Sequence, residues 1–143
     1  ADSQSLGGNW EAWLSFTNTT NSTNITISAS NELYHSNVPY IKLDGVKVSD
    51  NWADLTDGSL ASPINKRYDY PTNSTNHTSG VWTGTNPNGT ANSTMNDCGE
   101  WWSSSISVKG QTGLSSATNT QWTRDKDWAC ANKESLYCFE QPA

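Results

Sequence analysis

Three sets of residues in this chain have types and spacings that could do chemistry: its cysteines, its Asn-x-Thr triplets and its carboxylates. The cysteines are Cys98, Cys130 and Cys138. A zinc site needs two close pairs of ligands, and these positions supply none. In an oxidising compartment the same residues read as disulfides. A Cys98–Cys130 bridge would close a loop worth roughly 3–4 kcal/mol in the chain-entropy model. Cys138 would then lack a partner. An odd cysteine in a secreted chain means an intermolecular bond, a free thiol or a partner in sequence elsewhere.

Asn-x-Thr occurs at Asn18, Asn21, Asn24, Asn73, Asn76, Asn88 and Asn92. The abundance of Asn, Ser and Thr predicts about four such triplets by chance, and only about half of those with Thr. The excess points to N-glycosylation at several of these sites.

Among the carboxylates, Asp50, Asp54 and Asp57 could offer oxygens to calcium. Their spacing does not follow an EF-hand, and helix capping beside a solvated acidic face explains them more simply. Glu100, Glu134 and Glu140 are available to a glycosidase, which needs two poised carboxylates, but the sequence does not bring two of them together. His35 and His77 have no nucleophile at a useful offset. No catalytic residue is expected. Of the clustered tryptophans, Trp101, Trp102 and Trp122 are the candidates for an exposed sugar-stacking platform, against core packing around the bridge.

The elements that must position these groups are short. Asn9 to Phe16 is strand-like, with Trp10 and Trp13 on opposite faces. Asp44-Gly45, set between Ile41, Leu43, Val46 and Val48, signals a hairpin. Ser49 or Asp50 caps a helical turn that Gly58 ends. Ile64 and Tyr68 suggest a connecting strand. Val81-Trp82-Thr83-Gly84 reads as a buried strand, with Asn86-Pro87-Asn88-Gly89 as the turn after it. Ser103 to Gln121 is Gly- and Ser-rich and reads as a surface loop, a natural place for ligand binding. Leu136 to Phe139 reads as a central strand.

Composition narrows the function. The 143 residues make one domain, carry a net charge of −6 and contain only eight Lys and Arg. Those few bases are scattered, so no clustered basic face exists for nucleic acid. No apolar run is long enough for a transmembrane helix. A surface rich in hydroxyls and amides fits an extracellular module.

Several motifs in order resemble a known family. These are WEAWLS at 10–15, VPYI at 38–41, DNWADLTDGSL at 50–60, VWTGTNPNG at 81–89, CGEWW at 98–102 and LYCFE at 136–140. Their order and spacing resemble endostatin, the collagen XV/XVIII fragment, and more closely the bacterial endostatin-like surface domains. The resemblance spans nearly the whole chain. It implies an α+β, C-type-lectin-like fold: a mixed twisted sheet with two flanking helices and long loops. In that family a first strand and a helix bearing a first cysteine precede the WEAWLS position, and that cysteine pairs with the last one. Residues 1–8 look like the end of that helix, closed by Gly7-Gly8. The first strand and first cysteine have no counterpart here, which leaves Cys138 to a partner outside this sequence. The basic heparin face and N-terminal histidine zinc site of endostatin have none either.

The expectation is a non-enzymatic extracellular glycoprotein module that binds a glycan or an extracellular protein, including copies of itself. The alternative is a structural subunit of a filament or surface layer, completed by a neighbouring chain. A secreted hydrolase ranks last. No cofactor is expected beyond calcium at the acidic trio.

Overall fold

The computed structural model describes residues 6–19, 24–66, 79–94 and 96–143. Asn21, Asn73, Asn76, Tyr68 and most of the first eight residues lie outside these, so the expectations placed on them have no structural counterpart here.

The architecture is mixed α+β, built from nine short strands and two four-residue helices among the described residues. The strands are β1 (Asn9–Ala12), β2 (Phe16–Asn18), β3 (Ile25–Ile27), β4 (Tyr40–Ile41), β5 (Lys47–Ser49), β6 (Gly80–Trp82), β7 (Lys109–Leu114), β8 (Lys126–Ala129) and β9 (Cys138–Gln141). The helices are α1 (Ala29–Glu32) and α2 (Trp52–Leu55). They form four small antiparallel sheets: β1–β9, β2–β3, β4–β5 and β6–β7–β8. Among the described residues the one parallel feature is an isolated bridge, Val81 to Ser135.

Local chemistry accounts for most boundaries. The β4–β5 hairpin turns at Asp44-Gly45, where Gly45 adopts φ +84° and Asp44 Oδ1 accepts from Val46 N–H at 3.2 Å. Asn51, not Ser49 or Asp50, caps α2, its Oδ1 accepting from Asp54 N–H at 3.1 Å. The turn after β6 closes through Gly89 N–H to Asn86 O at 2.9 Å. The strand expected over Asn9 to Phe16 is two strands, broken where Trp13 enters the core.

The largest departure is at Ser103 to Gln121. It is no simple surface loop, because β7 within it is the central strand of the three-stranded sheet. Gly110, Gln111, Thr112 and Gly113 are buried. The two glycines explain the burial. A Cβ on Gly113 would sit 2.0 Å from Trp122 O, and one on Gly110 would sit 2.6 Å from Cys98 Sγ. Glycine here permits close backbone approach, where composition alone suggests a loop.

The core sits between this sheet and the β1–β9 pair. Trp13 is its centre, with ring centroids 5.0 Å from Trp122, 5.8 Å from Trp52 and 6.0 Å from Phe139. Ala29, Leu33, Val48, Leu55, Leu60, Val81 and Tyr137 complete its buried part. A buried polar knot crosses it. Trp13 Nε1–H donates to Thr123 Oγ1 (2.8 Å), and Thr123 Oγ1–H donates to Thr85 O (2.9 Å). Gln111 Nε2–H also donates to Thr85 O, at 2.8 Å. Such a network fixes one arrangement, since any broken link strands a polar group in the interior.

Candidate functional site

Two surface features can do chemistry. The first is the turn that follows Asp97. Cys98, Gly99, Glu100 and Trp101 all adopt left-handed conformations, with φ of +52°, +60°, +61° and +64°. Each non-glycine residue there costs about 1–2 kcal/mol, so the turn persists only because its surroundings fix it. Trp101 N–H donates to Asp97 O (2.7 Å) and Ser103 N–H to Cys98 O (2.8 Å). The buried Asp97 carboxylate accepts from Thr17 N–H and Glu100 N–H at 3.0 and 3.2 Å. Glu100 Oε1 accepts from Thr19 N–H at 2.7 Å and Thr19 Oγ1–H at 3.0 Å. The Cys98–Cys130 disulfide holds the turn to the end of β8.

The reversed hand of this turn sorts the three tryptophan candidates. Trp101 points inward, its Nε1–H donating to Ser15 O at 3.1 Å and its ring 5.8 Å from Trp82. Trp102 points outward and is 88% exposed. Trp122 is fully buried against Trp13 and Tyr137, so it is a core residue and no ligand platform. Trp128, on β8, is partly exposed with Lys126 Nζ over its ring at 4.3 Å.

The acidic trio serves the backbone. Asp54 Oδ2 accepts from Asp50 N–H at 2.7 Å, Asp57 Oδ1 accepts from Ser59 N–H at 2.8 Å, and Asp50 pairs with Lys47. Among the described residues no group of three or more His, Cys, Asp or Glu is arranged to hold a metal ion. Of the described sequons, Asn24 and Asn18 lie at the ends of the β2–β3 hairpin loop. Asn88 sits in the turn after β6, its Oδ1 accepting from Thr90 Oγ1–H at 2.7 Å. Asn92 is only 7% exposed, and its Oδ1 accepts from Thr94 N–H at 3.1 Å. Asn92 is thus the one buried sequon asparagine among the described residues.

The second feature is a groove of about 970 Å³ between the β4–β5 hairpin and β9. Its walls carry Tyr34, Val38, Ile41, Leu43 and Leu136, each 50–60% exposed. Lys42 and Lys66 stand along the hairpin side, Glu134 and Glu140 along the β9 side. Cys138 lies in the same lining and is a free, exposed thiol on a strand of a two-stranded sheet, not on the central strand expected over Leu136 to Phe139. Nearby atoms still desolvate its sulfur enough to push the thiol pKa up, so it is not a pre-activated nucleophile.

All four residues of β9 line this groove. Trp13 N–H donates to Tyr137 O at 2.9 Å, continuing the register that pairs Ala12 with Cys138. In an antiparallel pair the bonded residues alternate, so Phe139 and Gln141 bond to β1 while the backbone groups of Cys138 and Glu140 turn away from it. Among the described residues β9 pairs with β1 alone. The sequence showed the cysteine and the hairpin but not the groove, because the two walls lie about a hundred residues apart. The alternation of Ile41, Leu43, Val46 and Val48 was the available signal; only Val48 is buried, and the other three are exposed.

No helix among the described residues is long and apolar enough to cross a membrane. Compared with known proteins, the chain matches no family model and no characterised sequence.

Proposed function

We propose that this chain is a non-enzymatic extracellular glycoprotein module that binds another extracellular molecule through the β4–β9 groove. The observation that carries the reading is the groove itself: exposed aliphatic and aromatic walls, a rim of both charges and ample volume. Large exposed apolar surface on a folded chain marks an interaction site. The Cys98–Cys130 disulfide is compatible with an extracellular setting. The finer fold in this proposal is the endostatin-like, C-type-lectin-like one that the ordered motifs resemble. The mixed α+β architecture is consistent with it.

The test is an array of extracellular glycans and matrix proteins, read with and without calcium. Three proteins are compared: the native chain, an Ile41→Lys/Leu136→Lys variant and Trp102→Ala. The groove reading expects a matrix-protein signal that the double variant loses at an unchanged melting temperature. A glycan signal that only Trp102→Ala loses would move the site to the left-handed turn. Turnover of any array member would replace the binding reading with a hydrolase. N-glycosylation is checked separately: glycosidase treatment of native material should lower its mass, with Asn92 unmodified.

A further inference from the structure

We infer that the occupant of the groove is an extended segment of a second polypeptide chain, which adds as a strand to the outer edge of β9. The inference rests on the groove being the binding surface and names what fills it. Three observations select an extended backbone over a glycan, a helix or a small molecule. The outward N–H and C=O groups of Cys138 and Glu140 repeat at the two-residue spacing that an incoming strand matches. The exposed apolar side chains line both walls, Tyr34, Val38, Ile41 and Leu43 on one and Leu136 on the other, so alternate side chains of a strand find apolar contact. Two lysines on one side and two glutamates on the other leave the groove without net charge, which suits an uncharged backbone.

A second copy offering its own β9 does not fit as well. That strand is already paired with β1 and lies within its own groove, so two concave surfaces would meet. Cys138, a free and exposed thiol, belongs to the strand beside which the incoming strand would lie. A disulfide carried by the incoming strand would exchange there. The Cys138 thiolate attacks one of its sulfurs, the new S–S bond joins the two chains, and the displaced sulfur leaves as a thiolate.

The probe is a synthetic nine-residue peptide of alternating Val and Thr with one central cysteine activated as a 2-pyridyl disulfide. Release of 2-thiopyridone measures its reaction with Cys138 in the intact chain. The strand inference expects release at least tenfold faster than from the pyridyl disulfide of glutathione. It expects that advantage to vanish when proline flanks the peptide cysteine, because proline cannot join the ladder. In the adduct, the amides of Cys138 and Glu140 should gain protection from hydrogen exchange. Equal rates for all three reagents overturn the inference.

An apolar fluorescent dye separates this failure from failure of the groove itself. Dye that binds the native chain but not the Ile41→Lys/Leu136→Lys variant keeps the groove as a binding surface even if the peptide fails. Non-reducing peptide mapping of native material then tests the source. Cys138 bonded to a cysteine of a separate polypeptide supports it. A partner within the same polypeptide, or an unmodified thiol, overturns it.

Discussion

The β7 strand and the β4–β5 hairpin invert the usual relation between sequence and burial. β7 reads Lys-Gly-Gln-Thr-Gly-Leu, a poor strand by propensity, yet it is the buried centre of its sheet. The hairpin has the favourable alternation of Ile41, Leu43, Val46 and Val48, yet three of these four side chains face solvent. Space and hydrogen bonding decide the difference. β7 is gripped on both edges and by the polar knot, and its glycines let Trp122 and Cys98 approach. Among the described residues the hairpin is a two-stranded sheet of its own, and Ile41 and Leu43 line the groove. One region is closed by contacts within the chain. The other has the surface of an interface.

Substitutions should separate the two regions sharply. In the closed region, Trp122→Ala should cost about 3–5 kcal/mol, as for other large core truncations, measured by denaturant unfolding. Opening the Cys98–Cys130 bridge with serine at both positions should cost about 3–4 kcal/mol, read the same way. Gly113→Ala should cost about 1–3 kcal/mol, because its methyl group would meet the carbonyl of Trp122. A Gly113→Ala protein as stable as the native one would remove close approach as the reason β7 is central.

The closed region was partly legible. The cysteine spacing suggested the bridge that forms, Asp44-Gly45 marked a real hairpin, and Val81-Trp82 marked a real strand. The last two of these signals are local. β7 was not legible, because its glycines act through contacts with Trp122 and Cys98, which lie outside the strand. The left-handed turn was also hidden. Cys98, Glu100 and Trp101 have no preference for positive φ, and the partners that hold them, Ser15, Thr17 and Thr19, lie some eighty residues away. That turn directs Trp101 inward and exposes Trp102, a distinction no spacing rule could draw. The mixed α+β class could be read; the sorting of site residues could not.

Tyr137 offers a pH-dependent probe of the closed region. Burial pushes its phenol pKa above the ordinary value, and its O–H donates to Trp122 O at 2.8 Å. The folded state therefore keeps this proton to higher pH than the unfolded chain does, where the pKa is about 10. The stability from this group is complete below about pH 10 and is lost as pH rises further towards the folded value. Tyr137→Phe should cost about 1 kcal/mol at neutral pH through the lost hydrogen bond. It should also make the urea midpoint fall less between about pH 9 and 11, a window placed by the unfolded tyrosine value. Using Cys138→Ser as the background for both proteins keeps thiol exchange out of the alkaline measurement.

The smallest expected effect is the most informative about the open region. Ile41→Thr and Leu43→Thr alter β-rich positions that a sequence reading would place in a core. With more than half of each side chain exposed, little apolar contact is lost on substitution. Threonine in place of Ile41 also keeps a β-branched shape suited to β4, and Leu43 lies in the turn after it. Each change should therefore stay within about 0.5 kcal/mol of native stability, as surface substitutions do. If either costs as much as Gly113→Ala, the hairpin side chains are packed within the chain and the groove is closed in solution. If both are neutral for folding but abolish binding of the strand peptide, the apolar pattern is maintained for a partner. Stability and binding would then depend on separate residues of one chain, the first on β7 and its glycines and the second on the hairpin and the edge of β9.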